Sequence, residues 1–476
     1  MKKQILFLQF PLLDNDTSMG RENFPFAALW LSHALSQCPE GEFGEVVPSP
    51  AEWDDMDNLS LMEQILASGI EMVAFTLCLW NVERSMLLAS LLREANRNIY
   101  VMAGGPEVAI DHPFLLEEPF FDALVVGEGE AVFSEILKGI RTGKMPAYDN
   151  VLFAASDGWK QGRHSPPQVD LAAVQVPAEM LKECILSRPS VYMETVRGCP
   201  MTCTYCRYHH LQAGVRALPA ATVAWRVQRL RAAKVREIRF VDPTFNARHD
   251  FVELLELLAQ INADRKLMFF VELRADTLTP DQVALMAKAN FVEAEVGVQS
   301  TDPAVLRAIR RPANIEQVEN GILLLSGAGI QVTLDLMYGL PEQTFDDVLG
   351  SIEWARGLGP NISIQCMQTL LLPGTDLREQ AGQYGMRAVA LPPYGVCSTS
   401  TMSEEEMAQI ELLLHESPDL PADPVTPRFT GYTLEGIFRE QCKIQVEELD
   451  DPEFVPPGVQ NRRALVIQGS HLNARR

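Results

Sequence analysis

A chain of 476 residues with 47% hydrophobic and 22% charged side chains can bury two or three cores and is too apolar for large-scale disorder. Its 63 acidic against 40 basic residues give a formal net charge of -23, which repels phosphate backbones and anionic bilayers and so argues against nucleic-acid and membrane partners. Nine cysteines, odd in number and partly clustered, fit the reducing cytoplasm better than a disulfide scaffold.

From residue 1 to about 140, short apolar runs alternate with helical periods. Ile5 to Phe10 reads as a buried strand rather than a signal peptide, because Pro11 and Asp14 interrupt so short a run. Phe26 to Gln37 is predicted as a helix, Met72 to Leu79 as a strand, Val82 to Asn96 as a helix, and Ile99 to Gly104 and Ala123 to Val126 as strands. The alternation predicts a parallel, doubly wound sheet. Its turns carry Thr76-Leu-Cys-Leu-Trp-Asn81, Gly104-Gly-Pro-Glu107 and Gly127-Glu-Gly-Glu130. Missing side chains there let backbone approach a ligand at the carboxyl ends of the strands. The competing reading is that these glycines only close tight turns over an empty sheet. No stretch approaches the ~20 apolar residues needed to span a bilayer.

Residues 141–188, with Pro146, Asp157-Gly158, Gly162 and Pro166-Pro167, are predicted as a linker with one small hairpin. A strand over Ser190 to Val196 then runs into Arg197-Gly-Cys-Pro-Met-Thr-Cys-Thr-Tyr-Cys-Arg207. Cys199, Cys203 and Cys206 form a C-x3-C-x2-C array that one loop can wrap around a single metal centre, and thiolates are the ligands that soft iron sites select. Three ligands on an iron–sulfur cubane leave one iron open to a substrate or second cofactor. A structural zinc held by these thiols with His209 or His210 competes, although structural zinc sites usually split their ligands into two separated pairs.

Between residues 189 and 375 a strand-then-helix beat of roughly 30 residues recurs. Ile238 to Val241 ends in Asp242-Pro-Thr-Phe-Asn246, Leu267 to Glu272 in Leu273-Arg-Ala-Asp276, and Glu293 to Val298 in Gln299-Ser300. Gln331 to Met337 ends in Tyr338-Gly-Leu-Pro341, and Ile362 to Gln368 is followed by Leu372-Pro-Gly-Thr375. Polar groups recurring at that rim argue for a site, and spacing for about six units predicts an open barrel rather than a closed eight-stranded one. After Thr375 the beat stops. Residues 376–476 carry a capping box at Ser403 and Glu406 and two strands near Cys442 to Val446 and Ala464 to Gln468, and are predicted to cap the barrel mouth. Cys397 is a candidate second catalytic thiol or metal ligand, against the bland reading of a lone loop cysteine.

The cysteine spacing, with Tyr205 just before the last cysteine, resembles the radical SAM superfamily. The three turns before it are similar to the cobalamin-binding Rossmann-like domain that precedes the barrel in one large subclass. The likeness over 190–375 implies an α/β fold in four parts: an N-terminal doubly wound Rossmann-like domain (1–140), a linker (141–188), a partial (β/α)6 radical SAM barrel (189–375) and a C-terminal cap (376–476). It implies a [4Fe-4S] cluster on Cys199, Cys203 and Cys206, S-adenosylmethionine chelating the open iron, and its reductive cleavage to a 5'-deoxyadenosyl radical. By the same resemblance Tyr205 meets adenine, Asp242 and Thr244 the amino group, Glu272 and Arg274 the ribose or amino-acid end, Gln299 and Ser300 the nucleoside or carboxylate, with Tyr338 on the next strand end. Cobalamin would meet Thr76, Cys78, Trp80, Gly104, Gly105, Pro106, Glu107, Gly127, Glu128 and Gly129. The chain departs from cobalamin-dependent mutases in having no Asp-x-His-x-x-Gly, and His33 and His112 read as surface or capping residues. Bland readings stand beside these: Arg274 as a salt bridge to Asp276 or Glu272, Gln299 as a loop cap.

The function so implied is a cobalamin-dependent radical SAM enzyme methylating a carbon of a small molecule or short peptide, with an external flavodoxin- or ferredoxin-type electron donor. Two alternatives remain open on the sequence. One keeps the barrel and leaves the first domain empty, catalysing rearrangement, cyclisation or another group transfer. The other is a zinc-stabilised scaffold.

Overall fold

The computed structural model describes residues 3–11, 26–42, 44–54, 56–117, 120–172, 190–208, 214–417, 419–420, 440–445 and 463–468. Strands β1 (Lys3–Leu8), β2 (Gly44–Pro48), β3 (Met72–Thr76), β4 (Tyr100–Gly104) and β5 (Ala123–Val125) pair in parallel in the order β2-β1-β3-β4-β5. This is a doubly wound order whose direction reverses between β1 and β3. Both faces of the sheet are covered, which is why β3 is buried along its whole length. Ile5, Phe7, Ala74 and Met102 pack under the helices Phe26–Ser36 and Glu130–Thr142, whereas Leu6, Phe75 and Val101 pack under Asn58–Ala67 and Val82–Ala95. Periodicity does not predict β2, Asn58–Ala67 or Glu130–Thr142. The hairpin β6 (Val151–Ala155) and β7 (Gly158–Gln161), assigned to the linker, instead extends this sheet antiparallel to β5.

The second sheet begins with β8 (Ser190–Met193). The antiparallel pair β9 (Val196–Arg197) and β10 (Arg216–Ala217) brackets the cysteine loop. Then follow β11 (Glu237–Phe240), β12 (Met268–Glu272), β13 (Phe291–Gln299), β14 (Gln331–Tyr338) and β15 (Ile362–Gln368), all parallel in the order β15-β14-β13-β12-β11-β8. The end strands β15 and β8 do not pair, so the six strands form an open, partial barrel. Alternation sorts the side chains. Ile238, Val271, Val296, Leu334 and Leu336 face the helices, whereas Arg239, Glu272, Glu295 and Asp335 have the opposite parity and face the lumen. Beyond β15 lie the pair β16 (Arg387–Ala388) and β17 (Val396–Ser398) and the helix Glu404–Glu416, which opens with the expected Ser403–Glu406 capping box. The segments β18 (Glu440–Gln445) and β19 (Arg463–Gln468) pair in parallel. Among the described residues no helix is long and apolar enough to cross a membrane.

Candidate functional site: two adjoining chambers

The cysteine loop hangs from β9 and is pinned by backbone hydrogen bonds from Thr204 N to Ile309 O (3.1 Å) and from Leu377 N to Thr204 O (2.8 Å). Gly198 enters it at φ +89°, where a Cβ would stand 2.1 Å from the Gly214 carbonyl oxygen; only glycine fits before the first cysteine. Cys199, Cys203 and Cys206 are free thiols lining one cavity of about 170 Å³. Among the described residues no three Cys, His, Asp or Glu side chains come close enough to hold a single metal ion. A zinc site needs its ligands converged on one ion, whereas a cubane takes each thiolate on a different iron, so this spread arrangement fits an iron–sulfur cluster. His209 and His210 lie outside the described residues. Burial pushes the Cys206 thiol up to about 11, as befits a ligand that ionises only when metal binds. Arg311 donates to Cys203 Sγ (3.5 Å) and to Gly297 O, placing a partly buried cation beside the cluster ligands.

The barrel wall of this cavity contains five of the expected residues: Tyr205, Thr244, Glu272, Arg274 and Gln299. Thr244 Oγ1 lies 3.4 Å from Cys199 Sγ, and Tyr205 stands close enough to Cys203 and Arg311 to feel their charges. Arg274 does pair with Asp276 (Nε to Oδ1, 3.0 Å), yet still lines the cavity. The sequence reading missed Arg311, Glu295 and Asp335, which line it too. Gln299 Oε1 is buried without a hydrogen-bond partner, an acceptor left over for a bound molecule.

Three expected positions turn elsewhere. Asp242 is fully buried and accepts from Thr195 N (2.6 Å), Val196 N (2.8 Å) and the Thr195 hydroxyl. It braces the strand that feeds the loop. Ser300 accepts from Asp302 N (3.1 Å), at the start of the helix Pro303–Ala308. Tyr338 shares the parity of Leu334 and Leu336 and sits in the helix-side core. Cys397, on β17, lies within reach of Gly395 O (3.6 Å) and lines neither chamber.

Charge in the cavity sets a pH dependence. Burial first, then Glu295 and Asp242, push the Glu272 carboxyl up from 4.5 to about 8, and burial raises Glu295 and Asp335 as well. The folded chain therefore holds a proton that the unfolded chain releases, and this contribution, complete below pH 4.5, is lost as pH rises through about 8. Thermal melts of the cofactor-free protein should fall across that window with a slope below about 1.4 kcal/mol per pH unit for this group, and Glu272→Gln should flatten them.

The second chamber, about 420 Å³, opens at the carboxyl ends of β1, β3, β4 and β5 and faces the barrel. Thr76, Gly104, Gly105, Pro106, Gly127, Glu128 and Gly129 line it, with Phe75, Met102, Trp30 and Phe133 as its apolar body. An apolar chamber of this size with a few polar edges suits a large flat cofactor or its aromatic appendage. Gly105 has φ +107°, and a Cβ there would meet Leu77 O at 2.5 Å, so this glycine serves the turn itself.

The other candidates in this domain are structural. Cys78 N donates to Asn81 Oδ1 (2.8 Å) and Trp80 Nε1 to Phe10 O (3.1 Å), so both residues pin the turn rather than line the chamber. Glu107 is buried and accepts from the Tyr394 hydroxyl (3.0 Å) and His112 Nε2 (3.2 Å). His112, expected as a surface or capping residue, is buried and caps the following turn: its Nδ1 accepts from Leu115 N (3.0 Å), so this bonding pattern assigns the ring proton to Nε2. Neither His112 nor His33 lines the chamber.

The two units are clamped together. Arg197, two residues before Cys199, reaches Glu130 (2.8 Å), Glu194 (2.8 Å) and Glu128 (3.3 Å) and stacks over Trp30 (4.9 Å). Arg216 also pairs with Glu128. Arg207 donates to Val108 O (3.1 Å) in the first domain and to Pro373 O beyond β15.

The family model described as "Radical SAM superfamily" matches residues 193–355, and that described as "B12 binding domain" matches residues 34–137. The chain carries a radical SAM domain together with a B12-binding domain. Its barrel is preceded by a B12-binding domain, so this radical SAM enzyme uses a [4Fe-4S] cluster, S-adenosylmethionine and cobalamin. It is 24% identical over 381 residues to the anaerobic magnesium-protoporphyrin IX monomethyl ester cyclase of Rubrivivax gelatinosus, covering 76% of this chain and 67% of that one. It is 25% identical over 418 residues to the cobalamin-dependent radical SAM methyltransferase TokK of Streptomyces tokunonensis, covering 80% of this chain and only 59% of that one. In fold it is similar to the radical S-adenosylmethionine methyltransferase TsrM of Kitasatospora setae (TM-score 0.65, 17% identity, 82% of this chain and 77% of that one).

Proposed function

We propose that this radical SAM enzyme methylates a carbon of a small molecule or short peptide, using cobalamin. The observation that carries the reading is the adjacency of the two chambers: the thiol-lined cavity and the glycine-rimmed one share a wall, so one substrate can reach ligands in both. TokK and TsrM, both named as methyltransferases, have the matching domain content or fold.

When bound, the cluster and S-adenosylmethionine supply a carbon radical, and cobalamin supplies the methyl group. The chain's own work is binding, orientation and exclusion of water. Cys199, Cys203 and Cys206 hold the cluster, and Arg311 offsets its negative charge. Tyr205, Thr244, Glu272, Arg274 and Gln299, joined by Asp335, hold adenosylmethionine. Thr76, Gly104, Gly105, Pro106, Gly127 and Gly129 receive cobalamin, while Glu128 serves the clamp to Arg197 and Arg216. Among the described residues no histidine lines that chamber. An external flavodoxin- or ferredoxin-type donor supplies electrons.

The cyclase relative favours a second reading, radical ring closure on the same cofactors. Anaerobic protein reconstituted with iron, sulfide and hydroxocobalamin should retain about one corrinoid per chain after desalting. Iron and sulfide without corrinoid would remove the methyltransferase reading. Once a substrate is known, a product heavier by one methyl group supports methylation, and one lighter by two hydrogens supports closure.

A further inference from the structure

We propose that Tyr208 is a positioning residue whose ring forms the partition between the two chambers, so that the ligands of both pack against it. It is the one described residue that lines both cavities. Its backbone follows the cluster ligand Cys206 by two residues, and both residues line the same cavity. Arg207, between them, is anchored to Val108 O on one side and Pro373 O on the other, so the turn that presents the ring is held by both domains. The side chain is 46% exposed and its hydroxyl bonds no described residue; what it faces is the space a ligand would fill.

This inference rests on the function proposed above and assigns a part to a residue that reading left out. An aromatic face is a broad, stiff contact surface that packs against flat or aliphatic groups without needing a polar partner. A ring presented from a turn that both domains anchor through Arg207 is held in place at its root. Contact from one chamber is therefore transmitted to the other, and such coupling is reciprocal between the two ligands. A substrate that draws on both cofactors has to lie along this ring, which makes Tyr208 a determinant of which substrates fit.

The test needs no substrate. In reconstituted wild-type protein carrying cob(II)alamin and an oxidised cluster, adding S-adenosylmethionine should shift the cobalt paramagnetic resonance spectrum. Tyr208→Phe, which keeps the ring, should retain the shift. Tyr208→Ala should lose it while iron and corrinoid content stay as in wild type and S-adenosylmethionine still perturbs the separately reduced cluster. Should Tyr208→Ala fail to assemble its cluster, Tyr208→Leu carries the same expectation. A shift that survives in the Ala or Leu variant, one that vanishes in Tyr208→Phe, or none in wild type with both ligands bound, would overturn the proposal. A wild-type protein that retains no corrinoid would instead overturn the proposed function, and this inference with it.

Discussion

Cys203→Ala is expected to yield a protein without the brown iron–sulfur chromophore, with no cluster and no S-adenosylmethionine cleavage, while the amino-terminal sheet stays folded. Cys203 is the most buried of the three ligands, at 3% exposure, and carries the contacts of Arg311 and Tyr205. Two thiolates cannot hold a cubane that a third is needed to complete, so the loss is total rather than graded. Folding should suffer little, since replacing one small thiol by a methyl group costs on the order of 1 kcal/mol. Iron and sulfide analysis, with circular dichroism as the control for folding, checks both halves. Retained turnover would contradict the ligand assignment.

Arg197→Ala should be the most damaging substitution away from the cluster ligands. Arg197 is 6% exposed and faces Glu128, Glu130 and Glu194. Removing it leaves Arg216 beside Glu128 and the charge of Arg226 near Glu194, while Glu130 loses its ion pair in a poorly hydrated seam. Breaking a buried ion pair from one side costs about 3–5 kcal/mol, because the surviving charge is left without compensation. Denaturant midpoints should fall accordingly. Arg197→Lys should recover part of the loss, since one ammonium cannot span three carboxylates as the guanidinium fork does. A loss under about 1 kcal/mol would mean that water already reaches the seam.

The architecture was legible because apolar runs with polar carboxyl ends are the direct imprint of strands feeding a rim. Positions along a strand were less so. Asp242 was expected to face the ligand because it stands at a strand end, yet strand-end placement does not say which way a carboxylate turns, and the bare amides of Thr195 and Val196 claim it. Tyr338 could have been read correctly: counting by two from Leu334 and Leu336 puts it on the helix side. Arg311 carried no such cue, since it lies in the loop after a short helix and reaches the thiols only through the fold. Least legible was the buried contact of Tyr394 with Glu107, whose partners are 287 residues apart in sequence. The glutamates of Gly127-Glu-Gly-Glu130 look like ligand groups in a linear reading. Only the arginines brought from the barrel show them to be the seam between two domains.

The most direct test of the central claim, that three cysteines leave one iron open for S-adenosylmethionine, is the paramagnetic resonance spectrum of the anaerobically reduced cluster before and after that molecule is added. A changed spectrum on addition, lost when Cys203 is replaced, is the predicted result. A cluster whose signal is unaltered by S-adenosylmethionine, or a protein that binds no iron, would contradict it.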